Sequence, residues 1–200
     1  MSFDGFVDAN GRELSEVLPQ AERERDARPW IASPMYTRCP GTCSAVTAGL
    51  QRALDQSGLS PTEYRVVSFS FDPQETDRGL REFRERMHLP STWLTLRART
   101  PEALERTLKS LDFRTITRGE GDFEHPNLLV VLAPDQRLAG YLFGITFSPS
   151  ELARAVRRAR HGVSAIDSWR PYLFLFAVLG FLSSAFGFAV LLSRRRPRRR

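Results

Sequence analysis

Two cysteines occur in the 200-residue sequence, and they stand four apart in Arg38-Cys39-Pro40-Gly41-Thr42-Cys43. Thiols this close along a chain can cycle between dithiol and disulfide, grip a soft ion as two thiolates, or form a plain structural bridge. Spacing alone does not decide among these. A disulfide-stapled scaffold would carry more cysteines, spread along the chain. A closed zinc site normally takes four ligands, and the sequence supplies few. Soft thiolates select Cu(I) among the common metals, and an imidazole completes a three-coordinate site that Cu(II) also accepts. Of the three histidines, His125 stands just before Pro126 and the apolar run at 128–132. His88 and His161 follow amphipathic helical stretches and read as surface residues or partners of a helix C-terminal dipole.

The elements that must position these groups alternate between strand and helix. Residues 6–14 read as a hairpin turning at Asn10-Gly11, and residues 30–36 as a strand that Pro34 weakens or makes irregular. Residues 44–56 carry helical spacing in Val46, Leu50, Ala53 and Leu54. That places Cys39 in the loop before the helix and Cys43 in its first turn. There the unpaired N–H groups and the helix dipole favour a thiolate, with Arg38 adding positive charge. Residues 64–71 alternate as a strand. Asp72-Pro73-Gln74-Glu75 supplies an N-cap, an N1 proline and an N3 acid for a helix to about residue 87. Asp72 is thus read as a cap rather than as a neighbour of the sulfurs. A short strand at 93–96, a helix at 100–111, a hairpin at 128–133 and 138–143, and a helix at 148–160 complete the pattern. Such an order gives an α/β fold with a mixed central sheet flanked by helices. The dithiol falls between the first central strand and its helix, as in thioredoxin, and there the start of the 128–132 strand faces the dithiol, which singles out His125.

Charge and hydropathy divide the chain further. It holds 29 Lys+Arg against 23 Asp+Glu, and six of the arginines lie in the last seven residues. Without that tail the charges balance, so the folded part lacks the basic surface that nucleic acid requires. Residues 171–192 contain no charge and are long enough to cross a bilayer as a helix. Trp169 and Tyr172 stand at one end and the arginines at the other, which puts the C-terminus in the cytoplasm and residues before about 168 outside. The expected organisation is a domain at 1–165, a linker and transmembrane helix at 166–193, and a basic cytoplasmic tail at 194–200. Export of the domain calls for a signal that the opening MSFDGFVDAN does not supply, so the expected start lies upstream or a signal has been lost.

Three ordered motifs carry a family resemblance. Tyr36-Thr37-Arg38-Cys39-Pro40-x-x-Cys43 resembles the copper motif of the Sco/SenC family of cytochrome oxidase assembly proteins. Ser68-Phe69-Ser70-Phe71-Asp72-Pro73 resembles its S-x-D-P strand end, and His125-Pro126-Asn127-Leu128-Leu129-Val130-Val131-Leu132 its histidine-plus-strand element. The stretch from Asp135 through Gly144 is similar to one branch of that family. The resemblance spans roughly residues 5–165 and implies a thioredoxin-like fold that binds copper through Cys39, Cys43 and His125. The implied role is to deliver copper to the binuclear copper centre of a terminal oxidase, or to reduce that centre's cysteines. Its implied partners are the copper-centre subunit and a reductant for the dithiol. Departures from the family pattern are the small Gly41-Thr42 pair, the C-terminal rather than N-terminal anchor, and the short N-terminal arm. Four functions remain to be separated: a copper metallochaperone, a thiol–disulfide oxidoreductase in which Cys39 attacks and Cys43 resolves, a peroxidase of the same fold, and a binding module with an inert disulfide.

Overall fold

Strands covered on both faces of a sheet are buried along nearly their whole length, as two central strands show. β2 (Trp30–Met35) is buried throughout and β3 (Arg65–Ser70) at all but its first residue. A computed structural model describes residues 3–19, 22, 26–119 and 121–160. The other strands are β1 (Phe6–Asp8), β4 (Trp93–Ala98), β5 (Ile116–Gly119), β6 (Asp122–Glu124), β7 (Leu128–Leu132) and β8 (Leu138–Phe143). Six of these form one sheet in the order β1-β4-β3-β2-β7-β8, while β5 and β6 make a separate hairpin. β2, β3 and β4 run parallel; β1, β7 and β8 pair antiparallel.

The described helices are α1 (Leu14–Val17), α2 (Thr42–Gln56), α3 (Asp77–Arg86), α4 (Pro101–Ser110) and α5 (Pro149–Arg160). They cover both faces of the sheet. Val46 and Leu50 of α2 pack with Leu152 and Val156 of α5 against Ile31 and Leu129. Leu80 and Phe83 of α3 and Leu104 of α4 close the other face with Phe6, Phe69 and Cys43. The fold is mixed α/β and thioredoxin-like, as the element order implied. Residues 1–162 make one compact unit. Among the described residues no helix is long and apolar enough to cross a membrane. The apolar stretch at 171–192, the arginine tail and His161 lie outside them.

Pro34 sits without penalty in a central strand, contrary to expectation, and the register explains why. Met35 O accepts from Phe71 N–H at 2.9 Å, so residues 31, 33 and 35 turn their backbone groups towards β3. The Pro34 nitrogen therefore faces the β7 side, where pairing has already ended at Ala32. No ladder bond is lost.

One glycine permits a close approach. A Cβ on Gly49 of α2 would stand 2.2 Å from the Ile145 carbonyl oxygen, which belongs to the turn after β8. Gly49→Ala must displace backbone, and strain of this kind costs about 1–3 kcal/mol. The expected result is a thermal midpoint lowered by on the order of 5 °C, read by a circular dichroism melt.

Candidate metal and thiol site

The chain leaves β2 at Met35 and turns tightly, with Cys39 N–H donating to Tyr36 O at 3.3 Å. Helix α2 then begins at Thr42 behind Gly41, which has no side chain to cap it. The Cys39 sulfur takes that place. It accepts from Cys43 N–H at 3.5 Å and lies 3.7 Å from the Thr42 hydroxyl, doing what a serine or aspartate oxygen does at an ordinary N-cap. Partial burial alone would raise the Cys39 pKa. Hydrogen bonds from the Cys43 and Gly41 N–H groups, the Thr42 hydroxyl and the Cys43 thiol outweigh it and bring the value down to about 7. Cys43 is only 3% exposed, and burial pushes its thiol strongly up, with the neighbouring Cys39 adding to the effect. Both thiols are free. One sulfur is accessible and readily ionised; the other is enclosed and protonated.

The expected help from Arg38 is absent. Its guanidinium donates to Asp72 from Nε at 2.9 Å and Nη2 at 2.6 Å, and Asp72 is only 4% exposed. Asp72 is not a helix cap either. It accepts Gln74 N–H at 2.8 Å in a local turn, and α3 starts five residues later, at Asp77, capped by the Thr76 hydroxyl, which accepts from Gly79 N–H at 3.0 Å. The chain makes a single turn there, with Glu75 N–H donating to Asp72 O at 3.1 Å, and the Glu75 carboxylate goes to Thr37. Asp72 thus stands beside the dithiol loop, the placement the local capping pattern had argued against.

His125 lies on the segment between β6 and β7. Its half-buried ring packs on Phe71 with centroids 4.8 Å apart, and against Tyr36 at 6.1 Å and Phe113 at 6.2 Å. Tyr36 reaches in the other direction, with its hydroxyl hydrogen-bonded to Cys39. Burial first, and then that thiol, push the Tyr36 pKa up to about 12. The structure therefore brings the two sulfurs together and sets the imidazole one aromatic ring away. Among the described residues no three His, Cys, Asp or Glu side chains stand close enough to hold a metal ion. His88 is exposed at a positive φ of 50° just past α3, consistent with its reading as a surface residue. From sequence Tyr36 opens the cysteine motif with no role of its own and Glu75 reads as an N3 acid, and the β5–β6 hairpin, whose Phe123 packs on Tyr36 and Phe71, is not legible.

The family model described as SCO1/SenC matches residues 6–161. The chain belongs to the SCO1/SenC family. Among solved structures it is similar to a putative electron transfer protein from Aquifex aeolicus VF5, at 31% identity and a TM-score of 0.70, covering 80% of this chain and 91% of that one. It shares its fold with Bradyrhizobium japonicum ScoI, solved with copper bound, at 19% identity and a TM-score of 0.58 over 77% of this chain and 95% of ScoI. It also shares it with BsSco, described through a disulfide switch and as a cytochrome c oxidase assembly protein of the Sco family. The identity there is 22% and the TM-score 0.61, over 78% of this chain and 90% of BsSco. No curated protein matches the chain.

In this SCO1/SenC domain the two thiols should be distinguishable by reactivity. Iodoacetamide labelling of the reduced folded protein is expected to modify Cys39 alone, with a rate that rises through a midpoint near pH 7. Cys43 should react only after unfolding. Peptide mapping by mass spectrometry checks both points, and equal labelling of the two cysteines at pH 7 would refute the asymmetry.

Proposed function

We propose that this protein is a copper metallochaperone for assembly of a respiratory terminal oxidase, carrying copper as cargo on the Cys39 and Cys43 thiolates with His125 as third donor. The observation that carries this reading is the pair of free, mutually hydrogen-bonded thiols at the mouth of α2. Two soft sulfurs and an imidazole suit Cu(I), and the set is also acceptable to Cu(II). Family membership and the copper-bound relative support the same choice. His125 is held by ring packing between two strands, so its approach to the sulfurs requires that segment and Tyr36 to shift while the sheet stays in place. Copper then passes by ligand exchange to cysteines of the acceptor, the copper-centre subunit of the oxidase. A C-terminal helix within 166–193 would anchor the domain to the outer side of the membrane, keeping donor and acceptor in one plane, with the 194–200 tail in the cytoplasm. The test is a Cu(I) titration of the reduced full chain against a chromophoric competitor. Binding that survives oxidation of the dithiol would sink the proposal.

The asymmetry of the two thiols favours a second reading, a thiol–disulfide oxidoreductase. Cys39 thiolate would attack a substrate disulfide and release one substrate thiolate. Cys43 would then attack the Cys39 sulfur of the mixed disulfide and release the other, leaving the substrate reduced and the pair oxidised. Turnover of a disulfide substrate in the presence of a copper chelator would support it.

A further inference from the structure

Glu75 belongs to none of the roles described above, yet it has the densest set of contacts around the dithiol loop. Its Oε2 accepts from Thr37 N–H at 2.9 Å and from the Ser70 hydroxyl at 2.8 Å. Its Oε1 accepts from the Thr37 hydroxyl at 2.7 Å and from Thr76 N–H at 3.0 Å. One carboxylate thus ties the end of β3 and the start of α3 to the residue two before Cys39. A glycine leaves room for it: a Cβ on Gly79 would stand 2.6 Å from Glu75 Oε1 and 2.8 Å from Thr37 Oγ1. The requirement for an acid is chemical. All four neighbours donate, two of them backbone N–H groups that cannot do otherwise, and a glutamine would point its NH2 at one of those two in either orientation.

We propose that Glu75 is a positioning residue that fixes the Tyr36–Cys39 turn and thereby sets how favourably Cys39 and Cys43 close into a disulfide. Beyond this clamp the turn is held by the Cys39 N–H to Tyr36 bond and by the Arg38–Asp72 pair. The following Pro40, Gly41 and Thr42 are exposed. Disulfide formation from two thiols depends on how well they are already held together, and a loosened turn lowers that advantage. The inference rests on the dithiol being the working group, but it concerns the thiols alone and can be tested without copper.

The full chain, in detergent, is equilibrated with reduced and oxidised dithiothreitol at pH 6, where Cys39 is largely protonated and thiolate stabilisation contributes little. In that exchange the two protein thiols give two electrons and two protons to the cyclic disulfide, which opens to the dithiol. Glu75→Ala and Glu75→Gln are expected to weaken the protein disulfide about tenfold, which moves the midpoint about 30 mV to less negative potential. Thr37→Val, which removes a single hydroxyl from the network, should shift it the same way by less. Val156→Ala, a core truncation on α5, is the stability control. It should lower the melting temperature and leave the potential where it was. Glu75 and Thr37 variants whose midpoints match wild type overturn the inference while leaving the dithiol reading intact. Midpoints that track melting temperature across all four variants also overturn it, since Glu75 would then act on stability alone. A wild-type chain with no two-electron couple overturns the dithiol reading and this inference with it.

Discussion

Cys39→Ser together with Cys43→Ser is expected to abolish copper binding, taking the reduced full chain from about one Cu(I) ion bound to none. A serine hydroxyl stays protonated at neutral pH and is a hard donor, so it replaces neither the charge nor the softness of a thiolate. Folding should survive the change. Cys39 is partly exposed, and the Cys43→Ser substitution buries one hydroxyl where a thiol now sits at 3% exposure, at a cost of about 1–3 kcal/mol. The pH dependence of wild-type binding follows from the same two groups. Burial keeps Cys43 protonated through the neutral range, so loading must expel its proton, and affinity falls on acidification. Cys39, with its pKa lowered to about 7, adds a second proton only once the pH drops below that value. Affinity should therefore decline with falling pH and decline more steeply below about pH 7. Undiminished loading of the double serine variant would return the pair to the role of an inert bridge.

His125→Ala should lower copper affinity by at least about a hundredfold, since loss of even an outer partner of a metal ligand costs 10–100-fold. His88→Ala should change nothing, because that ring is exposed past the end of α3. The comparison also separates ligation from packing. The His125 ring rests on Phe71 and Tyr36, so its removal loosens the aromatic cluster, and a melt of each variant reports that effect independently of copper. Equal affinities in wild type and His125→Ala would leave a two-sulfur site and remove the imidazole from the proposal.

What the sequence makes legible here is what local pattern controls. The β-branched alternation of β3, the Thr100 cap ahead of Pro101 and the placement of both cysteines at the start of α2 follow from neighbours in the chain. The misreadings share one cause, contacts between residues far apart in the chain. Pro34 looked like a defect because the end of the β7 ladder cannot be seen from β2 itself. Asp72 carried a complete N-terminal helix signature, and two contacts from more than thirty residues upstream, Arg38 to Asp72 and Thr37 to Glu75, overrode it. The same contacts removed the positive charge that Arg38 was expected to lend Cys39. The β5–β6 hairpin gave no apolar alternation to read, since every residue of β5 is exposed. His125 is legible by its place before a strand, whereas Tyr36 stands at the head of the cysteine motif and only the fold shows that its ring touches both His125 and Cys39.

In the proposed carrier two thiolates and one imidazole from this chain hold copper together. X-ray absorption at the copper edge of the loaded, reduced full chain reads that donor set. Scattering from both Cys39 and Cys43 sulfurs and from one His125 nitrogen, with the nitrogen lost in His125→Ala, is the expected result. A spectrum with sulfur donors alone, identical in wild type and variant, would contradict it.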